Sequence, residues 1–217
     1  MKALFLLGLL AGFAGVLAGA HFFPWGQAPR LPSATSVVAN GGRAERFVIR
    51  LPADRLAAEG SSTLGLRAVV HPAGASLPPL GEGQQPVLLE QFKVRDVNGA
   101  VIGVAARHWT RTPAGPAAAW LLLLPGRGAL MLTAASGEGP AAVDSALAAA
   151  GRKPKQAWSG EVDVVTADGD GAKVLSGSEE FDGLTGRYTE TWAVTGVGAD
   201  DELQGTVTLD TVTYRGS

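Results

Sequence analysis

The chain contains no cysteine among its 217 residues. Disulfides, cysteine zinc sites, a thiol nucleophile and a lipid anchor on an N-terminal cysteine are therefore excluded. Histidine is also scarce, because His21, His71 and His108 are the only three. A histidine-rich metal site cannot be built from them, and we expect neither a metal nor another cofactor. Without cross-links, stability must come from burial and hydrogen bonding, which favours a closed or well-covered sheet.

Charged residues are also few. Charged residues make up 18% of the chain, below the usual quarter, and the net charge is −2 with no basic stripe. Nothing in this balance indicates a nucleic-acid partner. The motifs GxSxG and HExxH are absent, and the DGDG run at Asp168–Gly171 lacks the rest of a calcium loop, so it indicates a turn. The 46% of hydrophobic residues is enough for the core of one domain.

The N-terminus has the pattern of a secretory signal peptide over residues 1–20. Lys2 provides the positive start, an apolar run follows from Ala3 to Val16, and Ala18–Ala20 is a small-x-small cleavage site. The alternative is an uncleaved anchor, because the apolar stretch continues to Phe23 and about 18 apolar residues can span a bilayer. We therefore predict an extracytoplasmic protein, periplasmic or secreted. It would touch a membrane only through this segment, if the segment is not cleaved.

The remaining chain predicts an all-β fold. Residues 21–44 are rich in proline and glycine and predict a tether, and residues 45–217 predict one domain. Short strands with period-2 alternation recur at hairpin spacing, and Asn98-Gly99 is a strong hairpin signal. We predict an antiparallel barrel of about eight to ten strands with one short helix, preceded by the N-terminal signal helix. The predicted strands are Arg46–Leu51, Thr63–His71, Val87–Val97, Val101–Thr112, Trp120–Leu124, Leu130–Ala134, Ala157–Ala167, Val174–Phe181, Arg187–Thr195 and Leu203–Tyr214.

Helical signals are few. Pro140–Ala150 is rich in alanine and Gly151 follows it, which predicts a helix with a glycine stop. Asp54–Glu59 could form one helical turn. The Gly126-Arg127-Gly128 run indicates a hairpin turn, because no strand–loop–helix context for a phosphate cradle surrounds it. Glu179 and Glu180 are adjacent on a predicted strand, would point to opposite faces, and so cannot form a catalytic pair.

Alternation assigns ionisable groups to the core-facing side. Glu90 shares a face with Phe92, and Glu190 shares one with Tyr188 and Trp192. In the strand from Val101, the same argument places Val104 and His108 inside and Arg107 outside. A buried carboxylate needs a partner or a raised pKa, although a hydrated position at a strand end is the alternative. The candidate ligand-binding residues are Glu90, Phe92, His108, Tyr188, Glu190 and Trp192.

Three segments resemble the allene oxide cyclase barrel-like group, which is related to the dirigent proteins. They read GEGQQPVLLEQFKVRDVNGAVIGV up to Val104, WLLLLPGRGALML from Trp120, and SGSEEFDGLTGRYTETW from Ser176, and LQGTVTL from Leu203 fits a final strand. The resemblance covers about residues 64–214 and implies a barrel with a cavity. The sequence departs from the family pattern at Gln85 and at Ser178-Glu179, and no family catalytic residue aligns, so cyclase activity does not carry over.

Three functional hypotheses follow. The first is a non-enzymatic barrel that binds a small apolar ligand, or a protein partner, within walls such as Phe92, Val104 and Trp192. The second is an isomerase or cyclase for a hydrophobic molecule, which needs Glu90 or Glu190 in a cavity beside His108 or Tyr188. The third is an assembly role, including an oligomer, in which Trp25, Trp109 and Trp158 form an interface. The first is the hypothesis that we prefer.

Overall fold

The computed structural model describes residues 35–38, 42–60, 86–112, 115–134 and 139–215. The predicted signal segment and the predicted strand Thr63–His71 lie outside these residues. The described part contains one α-helix, α1 (Gly139–Ala149), and two short 3-10 turns, Gly169–Gly171 and Glu179–Phe181. Its strands are β1 (Thr35–Val38), β2 (Gly42–Leu51), β3 (Arg55–Gly60), β4 (Pro86–Arg95), β5 (Val101–Thr112), β6 (Gly115–Leu124), β7 (Gly128–Ala134), β8 (Trp158–Ala167), β9 (Ala172–Gly177), β10 (Leu184–Val197) and β11 (Leu203–Arg215).

Eight of these strands close into a barrel. They are hydrogen-bonded in the order β2, β11, β10, β9, β7, β6, β5, β4, and β4 returns to β2 through the pair Val48 and Arg95. All pairings between the described strands are antiparallel. Of the other three strands, β1 pairs with β2 and β3 pairs with β4. Strand β8 pairs with β10, next to β9. The predicted antiparallel barrel with one short helix is therefore confirmed.

The barrel interior forms one hydrophobic core. Along most of β2, β7, β10 and β11 every second residue is buried, as the period of two requires. Helix α1 packs against β8 and β6 and adds Val143 and Leu147 to the same core. Burial at this scale replaces the cross-links that a cysteine-free chain lacks. The fully buried large apolar side chains include Phe47, Ile49, Phe92, Trp120, Leu122, Leu132 and Leu209.

Two local signals act as predicted. At the β4–β5 hairpin, Gly99 has a φ of +86°, a conformation that glycine adopts without strain. Oδ1 of Asp96 accepts hydrogen bonds from the backbone N–H groups of Asn98 at 3.0 Å and Ala100 at 2.8 Å, and so holds the turn. Side chain and backbone conformation thus specify the same hairpin.

Helix α1 also ends as predicted. Gly151 has a φ of +86° and its N–H bonds to the carbonyl of Ala148, while the N–H of Arg152 bonds to the carbonyl of Leu147. These two bonds form a Schellman motif, which satisfies the last carbonyls of the helix. No helix in the described part is both long enough and apolar enough to cross a bilayer.

Three segments differ from the sequence-based expectation. The predicted helical turn at Asp54–Glu59 is wrong, because β3 starts at Arg55 and pairs with β4, and the carbonyl of Asp54 accepts the N–H of Lys93 at 2.8 Å. Hydrogen bonding to the neighbouring strand β4 therefore outweighs the helical preference of this segment. Strand β9 ends at Gly177, and Glu179 has a φ of +56°, so Glu179 and Glu180 lie in a 3-10 turn instead of a strand. Strands β1 and β2 also begin within residues 21–44, which were assigned to the tether.

Candidate functional site

The inward faces of β4 and β10 carry the predicted ionisable groups. On β4, Glu90 and Phe92 are buried, with 1% and 0% of their surface exposed. On β10, Tyr188, Glu190 and Trp192 are buried in the same way. For these two strands the sequence-based assignment of faces is confirmed, and both carboxylates lie inside the barrel.

The assignment of faces on β5 is wrong. Arg107 points inward and is fully buried, whereas Val104 is 40% exposed. The cause is an irregularity in the β4–β5 pairing, where Val94 lies opposite Gly103 and Arg95 lies opposite Val101. Ile102 is therefore left between two paired positions, as in a β-bulge, and the alternation shifts by one residue beyond it.

His108 consequently lies on the outer face of β5. Its partners across the sheet are Leu89 on β4 and Ala119 on β6, so it is separated by the sheet from the neighbouring Arg107. Burial lowers the pKa of His108, which favours the neutral imidazole. His108 is thus not part of the interior group of ionisable residues.

Arg107 joins the two buried carboxylates. Its Nη2 donates to Oε2 of Glu90 in a short hydrogen bond, and its Nη1 lies 3.4 Å from Oε1 of Glu190. Trp120 and Trp192 donate their indole N–H groups to Oε2 and Oε1 of Glu190, at 2.7 Å and 2.8 Å. Both oxygens of Glu190 therefore accept hydrogen bonds from named donors.

A second arginine balances the charge. Nη2 of Arg55, on β3, lies 3.3 Å from Oε1 of Glu90, and the Arg55 side chain is only 6% exposed. The interior cluster, defined here as Arg55, Glu90, Arg107 and Glu190, thus holds two positive and two negative groups. Such pairing is what makes buried charge tolerable in a low-dielectric interior.

Aromatic rings enclose the Arg107 guanidinium. Its Cζ lies 4.5 Å from the ring centre of Trp192, 5.1 Å from that of Trp120 and 5.9 Å from that of Phe92. Each contact is within the range of a cation–π interaction. The rings therefore exclude water from the ion pairs and fix the position of the guanidinium.

Four buried polar atoms of Tyr188, Glu90 and Arg55 make no hydrogen bond to a described group. They are the Tyr188 hydroxyl, Oε1 of Glu90, and Nε and Nη2 of Arg55. Burial, and next the nearby charge of Glu190, raises the pKa of Tyr188 above its ordinary value. Tyr188 therefore keeps its proton at neutral pH and presents a hydroxyl donor inside the barrel. Buried groups without partners are rare, and they are the strongest sign of a vacant polar contact in this structure.

A second buried ionic group was missed by the sequence analysis. Arg127, in the β6–β7 turn, donates from Nη1 to Oε1 of Glu45 at 2.5 Å and from Nε to Oε2 of Glu180 at 3.2 Å. Nη2 of Arg43 donates to Glu180 at 2.5 Å. One signal was available, because Glu45 shares its strand face with the apolar Phe47. Arg127 lies in a turn, where alternation carries no information.

The pH response of Glu180 follows from these contacts. Burial raises the pKa of Glu180, but hydrogen bonds from Arg127 and Arg43 outweigh it and lower the pKa to about 2. Because the folded-state pKa is depressed, this carboxylate stabilises the fold above about pH 5, and that stabilisation is lost as pH falls toward 2. We expect Glu180→Gln to lower the free energy of unfolding by about 2 kcal/mol at pH 7, and by much less at pH 2.5. Urea unfolding at both pH values measures this difference, and an equal cost at both would contradict the ion pairing.

The tryptophans of the assembly hypothesis are not brought together by any described contact. Trp158 donates its indole N–H to the carbonyl of Ala150 at 3.3 Å and packs against the core. Trp109 belongs to β5, and Trp25 lies outside the described residues. Within the described ranges, no three histidine, aspartate or glutamate side chains are grouped as metal ligands.

No protein-family model matches the chain, and the search of curated proteins found no significant match.

Proposed function

We propose that this protein is a non-enzymatic binding barrel whose interior takes a small molecule with an apolar body and one polar acceptor group. The observation that carries the proposal is the Tyr188 hydroxyl, which is buried, protonated and without a hydrogen-bond partner. A ligand carbonyl or hydroxyl oxygen would accept its hydrogen. The Phe92, Trp120 and Trp192 rings, which lie around the Arg107 guanidinium, would contact the apolar body.

Arg55 marks the direction of entry. It is the member of the interior cluster that also approaches an exposed group, with Nη1 3.9 Å from Oε1 of Glu202 beside the β10–β11 turn. Glu202 is 39% exposed, so the line from Glu202 through Arg55 to Glu90 leads from solvent to the cluster. A ligand that enters here would displace a long, flexible side chain and would leave the barrel strands in place.

Binding is favoured over isomerase or cyclase chemistry by the surroundings of the acids. Both oxygens of Glu190 are held by hydrogen-bond donors, and His108 lies on the outer face of the sheet. A general base needs an oxygen or nitrogen that can approach the substrate proton. Of the two carboxylates, only Glu90 has an oxygen without a hydrogen bond, and that oxygen lies against Arg55.

The place of action that we propose is outside the cytoplasm. The support is the charge, apolar run and small-residue site of residues 1–20. Mass spectrometry of the N-terminus of the mature protein tests it. A new N-terminus close to His21 supports export with cleavage, and an intact N-terminus contradicts cleavage.

Removal of the Tyr188 hydroxyl should weaken ligand binding without lowering the stability of the fold. We expect Tyr188→Phe to leave the free energy of unfolding unchanged or to raise it by about 1 kcal/mol, because the variant buries no unsatisfied hydroxyl. Tyr214→Phe is the matched control, since Tyr214 is the other tyrosine and lies near the end of β11. Thermal unfolding without ligand measures both. A loss of more than about 1 kcal/mol in Tyr188→Phe would mean that the hydroxyl already has a partner.

The same pair of variants tests binding. Prodan is an uncharged naphthalene dye with one ketone oxygen, and its emission shifts to the blue in an apolar site. We expect saturable binding of one dye per barrel, and about fivefold weaker binding by Tyr188→Phe, as the loss of one neutral hydrogen bond requires. Tyr214→Phe should bind as the unmodified protein does. Absence of saturable binding, or equal affinity in Tyr188→Phe, would overturn the proposal.

A further inference from the structure

A cleft separate from the interior cluster lies where β11 ends and β2 and β10 begin. Its volume is about 340 Å³, and it is lined by Arg43, Glu180, Leu184, Thr213 and Arg215. Two of the five lining side chains are arginines that approach from different strands. The cleft therefore has the size of a small organic molecule and a wall of guanidinium groups.

The described residues that line this cleft carry a net positive charge, because Arg43 and Arg215 are cationic and Glu180 is the one carboxylate among them. Arg215 is exposed and makes no ion pair with a described residue. An anion placed beside Arg215 would complete the balance.

The Arg43 side chain is held in place before any ligand arrives. Its Nη2 donates to Glu180 at 2.5 Å, and Arg127, which is only 3% exposed, contacts both Glu180 and Glu45. A guanidinium has five N–H donors, so Arg43 keeps donors for a second acceptor. Preorganised groups of this kind lose little entropy on binding.

Leu184 is the apolar residue among the five that line the cleft, and it is 6% exposed. The Thr213 hydroxyl donates to the carbonyl oxygen of Arg43 at 3.5 Å. Neither provides a free donor for a sugar or a nucleobase. The combination of the Leu184 side chain and the exposed Arg215 guanidinium fits an anion with an apolar body.

We propose that this cleft binds a small organic carboxylate, with the carboxylate paired to Arg215 and Arg43 and the apolar body against Leu184. This site is independent of the interior cluster, and either can be present without the other. Planar carboxylates match the fork of a guanidinium, which is the reason for this class of ligand.

Benzoate tests the proposal, with benzamide as an uncharged molecule of the same shape and inorganic phosphate as an anion without an apolar body. Calorimetric titration at low ionic strength is expected to show benzoate binding at one site, with a dissociation constant on the order of 1 mM. Benzamide and phosphate should bind at least tenfold more weakly. If benzamide binds as tightly as benzoate, charge has no role. If phosphate binds as tightly as benzoate, the Leu184 side chain has no role. Either result would overturn the proposal.

Variants locate the site. Arg215→Gln should weaken benzoate binding at least fivefold, and Arg215→Lys should weaken it less. Arg187→Gln is the matched control, because Arg187 is an exposed arginine on β10 that makes no ion pair with a described residue and does not line the cleft. Circular dichroism confirms that each variant is folded. Equal loss in Arg187→Gln, or no loss in Arg215→Gln, would contradict the assignment.

Discussion

Replacement of Arg107 by methionine should lower the free energy of unfolding by about 3–5 kcal/mol, the cost of leaving buried charges without their partner. Arg107 is fully buried and contacts both Glu90 and Glu190. Methionine fills much of the same volume, so a cavity contributes little to the loss. The two carboxylates would then lie in an apolar interior with Arg55 as the single cation. Urea unfolding monitored by tryptophan fluorescence measures the change.

Two further variants show whether charge is the cause. Arg46→Met removes an exposed pair, in which Nε of Arg46 lies 2.6 Å from Asp210, and it should cost less than about 1 kcal/mol. The double variant with Arg107→Met and Glu190→Gln removes one charge of each sign, leaves Arg55 beside Glu90, and should regain more than half of the lost stability. If the double variant is no more stable than Arg107→Met, packing and not charge determines the role of Arg107.

Substitution of Gly186 by alanine should cost about 3 kcal/mol. A Cβ atom at this position on β10 would lie 2.1 Å from the carbonyl oxygen of Val212 and 2.9 Å from Cα of Thr213, both on the adjacent strand β11. Neither backbone atom can move without opening the barrel at the β10–β11 pairing. Overpacking against a backbone is among the larger single-residue effects in a closed sheet.

Gly151 provides the comparison for this prediction. It has a φ of +86° at the end of α1, but nothing lies within 4 Å of an added Cβ. Gly151→Ala should therefore cost only about 1 kcal/mol, from backbone strain alone. The thermal unfolding midpoints of the two variants show which substitution costs more stability. A larger loss in Gly151→Ala would contradict the steric account of Gly186.

The sequence was informative where structure is set by neighbours along the chain. Alternation on β4 and β10 placed Glu90, Tyr188 and Glu190 inside the barrel, and the Asn98-Gly99 and Gly151 signals located a hairpin and a helix end. These features depend on backbone period and on conformations that only a few residues adopt. The barrel class follows from the same local evidence repeated along the chain.

The partners of the buried acids were not predictable by the same means. The bulge at Ile102 depends on how β5 pairs with β4, and it moved Arg107 inward and His108 outward. Arg107 and Glu190 are separated by 83 positions in sequence, and Arg127 and Glu45 by 82. Such pairs are determined by the closure of the barrel, which no local pattern encodes.

A crystal structure of the barrel soaked with prodan tests the central claim most directly, because that claim is a vacant hydrogen bond at Tyr188 inside the barrel. We predict dye density among Phe92, Trp120 and Trp192, with the ketone oxygen about 2.8 Å from the Tyr188 hydroxyl. Dye found only on the outer surface, or Tyr188 hydrogen-bonded to a protein side chain with no dye beside it, would contradict the account.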